Sequence, residues 1–128
     1  MTKKILIVSS KYYSDISNNL ELGACKTLKE YKTDYEILKA PGCFEIPFII
    51  KSNIGKYDGF IALGCIIKGE TYHFEVIANE TAKKIMDLSI ENLIPIGFGI
   101  LTCYNKDQAL IRSEIDKQNK GREAALAC

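Results

Sequence analysis

The sequence predicts an α/β fold, specifically a three-layer α/β/α sandwich around a four-stranded parallel sheet. Two observations lead to this prediction. Short apolar runs alternate along the chain with segments whose apolar residues recur at helical spacing. The first of these runs is apolar at consecutive positions, which is typical of strands covered by helices on both faces. The chain has no linker, repeat or low-complexity stretch, so residues 1–128 are expected to form a single domain.

The first predicted strand is Lys4 to Ser9, which contains the run ILIV. In the helix that follows, apolar residues recur at spacings of four and three, which indicates one buried face: Ile16, Leu20, Ala24, Leu28 and Tyr31. Asp15 or Ser17 is expected to cap this helix, because short polar side chains accept hydrogen bonds from free backbone N–H groups. The helix is the first crossover between parallel strands.

A short second strand, Tyr35 to Lys39, is predicted to end at the sequence APG, and Pro47 is predicted to open a short helix at its first position. The third strand is GFIALG, residues 59–64. The longest predicted helix has its inner stripe at offsets of 0, 3, 4, 7, 11 and 14: Phe74, Ile77, Ala78, Thr81, Ile85 and Leu88.

The fourth strand is predicted from Pro95 to Leu101, and Asn105 is predicted to cap a helix that contains Ala109, Leu110 and Arg112. Strands and helices then alternate throughout, which is the flavodoxin-like arrangement. In such sheets ligands bind outside the carboxyl ends of the strands. The predicted ligand-binding segments are therefore residues 11–13, 41–45 and 65–73 and the strand end around Phe98.

The composition excludes two classes of partner. The chain carries 17 Lys plus Arg and 16 Asp plus Glu, a net charge of +1. This balance gives no basic face for nucleic acid. The apolar runs are far shorter than the roughly 20 residues of a membrane-spanning helix, so no membrane partner is expected.

Five cysteines, an odd number, lie at wide and irregular spacing: Cys25, Cys43, Cys65, Cys103 and Cys128. With no CxxC pair and no signal peptide, reduced thiols in a cytoplasmic protein are expected. The first four lie in apolar runs, which favours packing as small hydrophobic side chains over redox chemistry.

His73 is the only histidine, and it follows the loop KGETYH. An imidazole exchanges protons near neutral pH, which makes His73 a candidate acid–base catalyst, although a lone histidine is more often a surface or capping residue. Glu70 and Thr71 precede it at a helix start, where free N–H groups favour an anion. The same residues are also compatible with Thr71 acting as a helix cap.

The segment PGCFEIP, residues 41–47, places the aromatic Phe44 beside the carboxylate Glu45, a pair that suits a planar heterocycle. A simple turn before a helix is the alternative. Arg112 and Lys120 are cations that could bind phosphate, or could be solvated surface residues. Tyr12 could likewise be either a core residue or a residue that stacks on a ligand.

Taken in order, these segments resemble the lumazine synthase family. KILIVSSKYY resembles the family's opening strand with its stacking aromatic, and PGCFEIP is close to PG(A/S)(F/W)EIP. ALGCIIKGETYHF resembles (A/T)(L/I)GxxIRGxTxHxD, PIGFGILT resembles P(V/I)xFG(I/V)(L/V)T, and NKGREAAL resembles NKGxEAA. The resemblance covers most of the chain without insertions.

The resemblance implies the condensation of 5-amino-6-(D-ribitylamino)uracil with 3,4-dihydroxy-2-butanone 4-phosphate, without a metal or cofactor. His73 would shuttle protons, Tyr12 would stack on the pyrimidine, and Glu70 and Thr71 would contact the phosphate-bearing substrate through their backbone. The aminouracil and its ribityl chain would be held by Cys43, Phe44, Glu45, Cys65, Ile66 and Ile67. Phe98 and Arg112 would come from the adjacent subunit, and Lys120 would be the second phosphate cation.

The chain departs from the family pattern at three places. Lys68 stands at the usual arginine, KYY replaces an RFN-like segment at residues 11–13, and EIDKQNKG, with Asp116, replaces GTKxGNKG. The family forms pentamers or shells of twelve pentamers. A lone pentamer is expected here, because the chain starts almost at strand one and lacks an N-terminal pairing strand. A non-catalytic lumazine- or flavin-binding module, or a flavodoxin-like phosphate or flavin binder, are the competing interpretations.

Overall fold

The computed structural model describes residues 3–128, which form one sheet of four parallel strands with helices on both faces. The strands are β1 (Lys4–Ser10), β2 (Asp34–Ala40), β3 (Gly59–Ile67) and β4 (Ile96–Cys103). The helices are α1 (Ser14–Glu30), α2 (Ile46–Ser52), α3 (His73–Asn92), α4 (Lys106–Ser113) and α5 (Lys120–Ala127), and a 3₁₀ turn, Cys43–Glu45, precedes α2. The predicted three-layer α/β/α fold is confirmed.

The strand order is β2-β1-β3-β4, so the chain moves to one side of β1 and then crosses to the other. Val8 of β1 pairs with Leu38 of β2 and with Ala62 of β3. The crossing point opens a crevice outside the carboxyl ends of β1 and β3, where a parallel sheet of this order binds ligands.

The sheet separates two hydrophobic cores. On one face, Ile7 and Leu63 pack with Leu20 of α1 and Ala124 of α5. On the other face the strands pack with α2 and α3 through a second set of side chains: Leu6, Val8, Phe60, Ile46, Ile50, Ile85 and Leu88. The consecutive apolar positions of β1 are therefore buried alternately in the two cores, as the sequence pattern predicted.

The start of α1 differs from the prediction. Its N-cap residue is Tyr13, which makes no side-chain capping hydrogen bond, and Asp15 and Ser17 lie inside the first turn. The Asp15 carboxylate pairs with Lys106 of α4 at 2.8 Å, and the Ser17 hydroxyl donates to the Ser10 carbonyl at 2.6 Å. Both side chains are thus bound to other elements, which sequence spacing does not reveal.

Two element boundaries differ from the prediction, and one cap agrees with it. Tyr31 is the residue after the end of α1, where its N–H donates to the Thr27 carbonyl at 3.1 Å, and its side chain is exposed instead of lying on the buried face. Pro47 occupies the second position of α2 instead of the first. The Asn105 cap is confirmed, since its side chain accepts from the Gln108 N–H at 2.9 Å.

Among residues 3–128, no helix is long and apolar enough to cross a membrane.

Thr81 carries a buried hydroxyl that finds no hydrogen-bond partner among residues 3–128. An unpaired buried hydroxyl costs about 1–3 kcal/mol. We therefore expect Thr81→Val to raise the free energy of unfolding by about 1 kcal/mol, since valine keeps the shape and removes the unpaired group. Urea unfolding at fixed protein concentration measures this change.

Thr27 is the matched control, because it is equally buried but its hydroxyl donates to the Gly23 carbonyl at 2.8 Å. Thr27→Val should lower the free energy of unfolding by about 1 kcal/mol. Equal destabilisation by both substitutions would contradict the assignment of Thr81 as unpaired.

Candidate active site

A cleft of about 610 Å³ opens at the carboxyl end of the sheet. Four segments line it: the β1–α1 loop, the 3₁₀ turn, the end of β3 and the start of α3. The structure brings together at this cleft the following residues that the sequence predicted for the site: Tyr12, Cys43, Phe44, Glu45, Cys65, Ile66, Ile67, Thr71 and His73. Segments far apart in the chain thus meet where the topology predicted.

His73 is the first residue of α3, and its exposed side chain lines the cleft. The next residue, Phe74, is partly buried in the core between α3 and the sheet. The N–H groups of the first turn of a helix have no partner within the helix, and the helix dipole makes this end electropositive. The imidazole therefore stands beside free backbone donors, a combination that serves proton transfer and anion binding.

The loop before α3 places two predicted residues differently. Thr71 lines the cleft, but it is not the helix cap, because Tyr72 occupies that position and makes no side-chain capping bond. Glu70 is exposed and is not among the residues that line the cleft. The helix starts later than the capping-box pattern indicated, which leaves residues 69–71 as an open loop.

The 3₁₀ turn is held against β3 by Cys43. Its buried sulfur lies 3.9 Å from the Cys65 carbonyl oxygen, and the next two side chains, Phe44 and Glu45, are exposed at the cleft. A β-carbon at Gly64 would lie 2.6 Å from the Cys43 sulfur, so only glycine permits this approach. Gly64 was missed by the sequence analysis, since a glycine inside a strand signals a close backbone approach without naming its partner.

Tyr12 and Tyr13 form the side of the cleft next to β1. Their rings meet edge to face, with centroids 4.8 Å apart and an interplanar angle of 90°. Tyr12 is 63% exposed, whereas Tyr13 is half-buried and packs against the core between α1 and the sheet. The exposed Tyr12 ring is available for stacking on a flat ligand.

Lys68 does not line the cleft. Its ammonium lies 5.9 Å from the centroids of both the Phe74 and Tyr104 rings and 3.5 Å from a Glu75 carboxylate oxygen. Its backbone N–H donates to the Cys103 carbonyl at 2.8 Å. The Lys68 backbone therefore bonds to the end of β4. Its ammonium group interacts with Glu75 and Phe74 in the first turn of α3 and with the Tyr104 ring.

The two thiols at the cleft are held in their neutral form. Burial raises the pKa of Cys43 to about 11 and that of Cys65 to about 12, the latter with smaller contributions from the neighbouring Cys103 and Cys43. The thiolate is the reactive form of cysteine. The sequence-based interpretation of these residues as packing groups therefore agrees with their burial.

We expect Cys43 and Cys65 to be alkylated by iodoacetamide at neutral pH at least about a hundredfold more slowly in the folded protein than in urea, since thiolate is scarce at the raised pKa. Peptide mass spectrometry over a time course measures each residue separately. Rapid modification of Cys43 in the folded state would show that the turn opens readily.

A second cleft, of about 410 Å³, contains three further predicted residues. Phe98, Arg112 and Lys120 line it together with Glu123. The Lys120 ammonium lies 3.2 Å from a Glu123 carboxylate oxygen, and the Arg112 guanidinium donates to the Gln108 carbonyl at 3.2 Å. None of these three predicted residues lines the cleft of His73 within the same chain.

The His73 cleft has an unusual charge distribution for a site that would hold a phosphate. Among the described residues, its lining contains the carboxylate of Glu45 and no lysine or arginine. A dianion held by backbone N–H groups alone lacks the charge-assisted hydrogen bonds that a guanidinium supplies. The predicted cations Arg112 and Lys120 line the second cleft instead.

An imidazole, a carboxylate, an aromatic ring and a helix N-terminus at the carboxyl end of a parallel sheet define an α/β enzyme site for small molecules. The family profile of 6,7-dimethyl-8-ribityllumazine synthase matches residues 2–128. The chain belongs to this family.

Several relatives bear the name 6,7-dimethyl-8-ribityllumazine synthase. The protein of Bartonella henselae is 46% identical over 127 residues, covering 96% of this chain and 82% of its own length. That of Zymomonas mobilis is 44% identical over 126 residues, covering 97% of this chain and 90% of its own. That of Agrobacterium fabrum is 42% identical over 130 residues, with coverages of 96% and 88%.

Proposed function

We propose that the chain condenses 5-amino-6-(D-ribitylamino)uracil with 3,4-dihydroxy-2-butanone 4-phosphate to 6,7-dimethyl-8-ribityllumazine, phosphate and water. The single observation that carries the proposal is the meeting of His73, Glu45 and the Tyr12 ring at one cleft of a chain that belongs to this family. The chemistry needs no metal or cofactor, because carbon–nitrogen bond formation and the loss of water and phosphate involve no redox change and are assisted by proton transfer.

Each proposed reaction step uses residues that line the cleft. One amine of the aminouracil adds to the ketone and loses water to form an imine, and phosphate leaves by elimination. The second amine then adds to the remaining carbonyl and loses a second water, which closes the ring. His73 would carry protons in these steps. The N-terminal amides of α3 would receive the phosphate, and Tyr12, Phe44 and Glu45 would hold the flat ring in place.

The residues around the pyrimidine and the ribityl chain complete the assignment. Cys43 and Cys65 to Ile67 form the apolar floor of the cleft, so they would pack against the aminouracil and direct its chain. Thr71 would contact the butanone phosphate through its backbone, as would Glu70, whose side chain is exposed.

We further propose that each site is shared between two subunits of a homopentamer. The missing cation would be Arg112 of the adjacent chain, with Phe98 beside it and Lys120 as a second cation. Large apolar side chains on α2, on α3 and just after α3 support an interface, because they are exposed in the single chain: Phe48, Met86, Ile90 and Leu93. Analytical ultracentrifugation should give the mass of five chains, and a 60-subunit particle would contradict it.

The protein is proposed to act in the cytoplasm as a single domain, residues 1–128, on small-molecule substrates. The five cysteines are free thiols in the structure, in keeping with a reducing compartment. Expression with a fluorescent tag would locate the protein.

The direct test of the activity is to mix the two substrates with the purified protein and follow the absorbance and fluorescence of the lumazine. We expect product to accumulate with one phosphate released per lumazine. Tight lumazine binding without turnover would instead identify a non-catalytic binding module on the same fold.

A further inference from the structure

The backbone of Tyr13 has an uncommon conformation. Its φ of 54° and ψ of 62° place it in the left-handed region, which is unfavourable for a residue with a bulky side chain. Its carbonyl nevertheless accepts from the N–H groups of Ile16 and Ser17, both at 3.1 Å, and so begins α1. Such conformations persist where the surroundings hold them, and they concentrate at functional sites.

The side chain of Tyr13 packs against the hydrophobic core. It is half-buried against the core between α1 and the sheet, and this burial is the main cause of the raised pKa of its phenol. The Tyr12 ring, by contrast, is 63% exposed and meets the Tyr13 ring edge to face. The Tyr12 backbone is fixed by its N–H, which donates to the Ser10 hydroxyl at 3.2 Å.

We propose that Tyr13 is a positioning residue that fixes the orientation of the Tyr12 ring at the cleft. The left-handed turn at Tyr13 directs its ring into the core, and the edge-to-face contact leaves the Tyr12 ring 63% exposed for a flat substrate. This inference rests on the proposed function, in which Tyr12 stacks on the aminouracil. Tyr13 would therefore control affinity for the ring substrate and not for the phosphate substrate.

Two substitutions distinguish the effect of the Tyr13 ring from the effect of its backbone conformation. Tyr13→Asn removes the ring and keeps a residue that tolerates the left-handed conformation, whereas Tyr13→Phe keeps the ring and removes only the hydroxyl. We expect Tyr13→Asn to raise the KM for the aminouracil up to about tenfold, as expected for the loss of one aromatic pair. The KM for the butanone phosphate should stay within about twofold, and Tyr13→Phe should match the unmodified protein in both.

A double-substitution cycle tests the coupling directly. In a Tyr12→Leu background, Tyr13→Asn should have no further effect on the KM for the aminouracil, because the ring that it positions is gone. Tyr13→Leu keeps apolar bulk against the core, so it provides a second ring-free variant if Tyr13→Asn does not fold. It should reproduce the selective rise in the KM for the aminouracil.

Three outcomes would overturn the inference: equal rises in both KM values, no rise in either, or a Tyr13→Phe variant that behaves like Tyr13→Asn. If the unmodified protein makes no lumazine, the proposed function fails independently of Tyr13. Binding of the aminouracil alone, measured by titration calorimetry, would still test the role of Tyr13. Binding weakened by Tyr13→Asn but not by Tyr13→Phe supports that role, and equal binding by all three proteins overturns it.

Discussion

Replacing His73 with alanine is expected to lower kcat by about two to four orders of magnitude, the usual contribution of a general acid–base group. His73 supplies the one imidazole at the cleft among residues 3–128, and imidazole is the side chain that most often transfers protons in catalysis. Steady-state kinetics with both substrates measures the loss. Assembly should be unchanged, because the His73 side chain is exposed and its removal leaves no cavity in the core.

Tyr72→Ala is the matched control for this substitution. Tyr72 precedes His73, is 73% exposed and does not line the cleft, so its removal should leave kcat within about twofold. An unchanged kcat in His73→Ala would remove histidine from the mechanism. Similar losses in both variants would point to damage at the start of α3 and not to a missing proton carrier.

Arg112→Ala is expected to raise the KM for the butanone phosphate by about 10- to 100-fold while changing the KM for the aminouracil little, as the loss of a charge-assisted hydrogen bond to an anion would do. The guanidinium lines the second cleft and donates to the Gln108 carbonyl, which leaves further donors for a phosphate. Arg112→Lys should restore part of the affinity, since it keeps the charge without the bidentate fork.

Arg122 offers a matched control on α5, because its guanidinium is bound to Glu30 at 3.0 Å and does not line either cleft. Arg122→Ala should leave both KM values close to those of the unmodified protein. An effect of Arg112→Ala confined to the aminouracil would contradict the assignment of Arg112 to the phosphate.

Sharing between subunits has its own test. When His73→Ala and Arg112→Ala chains are unfolded, mixed in equal amounts and refolded together, about one quarter of the sites should pair an intact His73 with an intact Arg112. Activity at a butanone phosphate concentration far below the KM of the Arg112→Ala variant should then return to about that fraction of the unmodified value. No recovery in the mixed assembly would mean that both residues serve a site within one chain.

The layered fold could be predicted from the sequence because burial leaves a direct pattern in it. The consecutive apolar residues of β1 fill two cores, and the inner stripe of α3 is buried at Thr81, Ile85 and Leu88. Helix starts were predicted less well. The Asp15 carboxylate pairs with Lys106 of another helix, and such tertiary partners override local capping preferences.

Nine of the predicted site residues meet at the His73 cleft, whereas Glu70 lines neither cleft. The family resemblance had assigned Phe98 and Arg112 to an adjacent subunit, and neither residue lines that cleft within one chain. Motif spacing selected the residues, and the topology rule placed their segments at one end of the sheet. That Phe98, Arg112 and Lys120 line a different cleft from His73 follows from the path of β4, α4 and α5, which no local pattern encodes. Gly64 was missed for a similar reason, since its role depends on the Cys43 sulfur that approaches it.

The lack of any lysine or arginine in the described lining of the His73 cleft has a consequence for control of the activity. A solitary chain would offer the phosphate ester backbone N–H groups beside the Glu45 carboxylate and no cation, so its KM for the butanone phosphate should be raised. At subsaturating butanone phosphate, specific activity should therefore fall on dilution below the dissociation range of the assembly and recover on concentration. Newly made, unassembled chains would then consume little of this substrate until they associate with their neighbours.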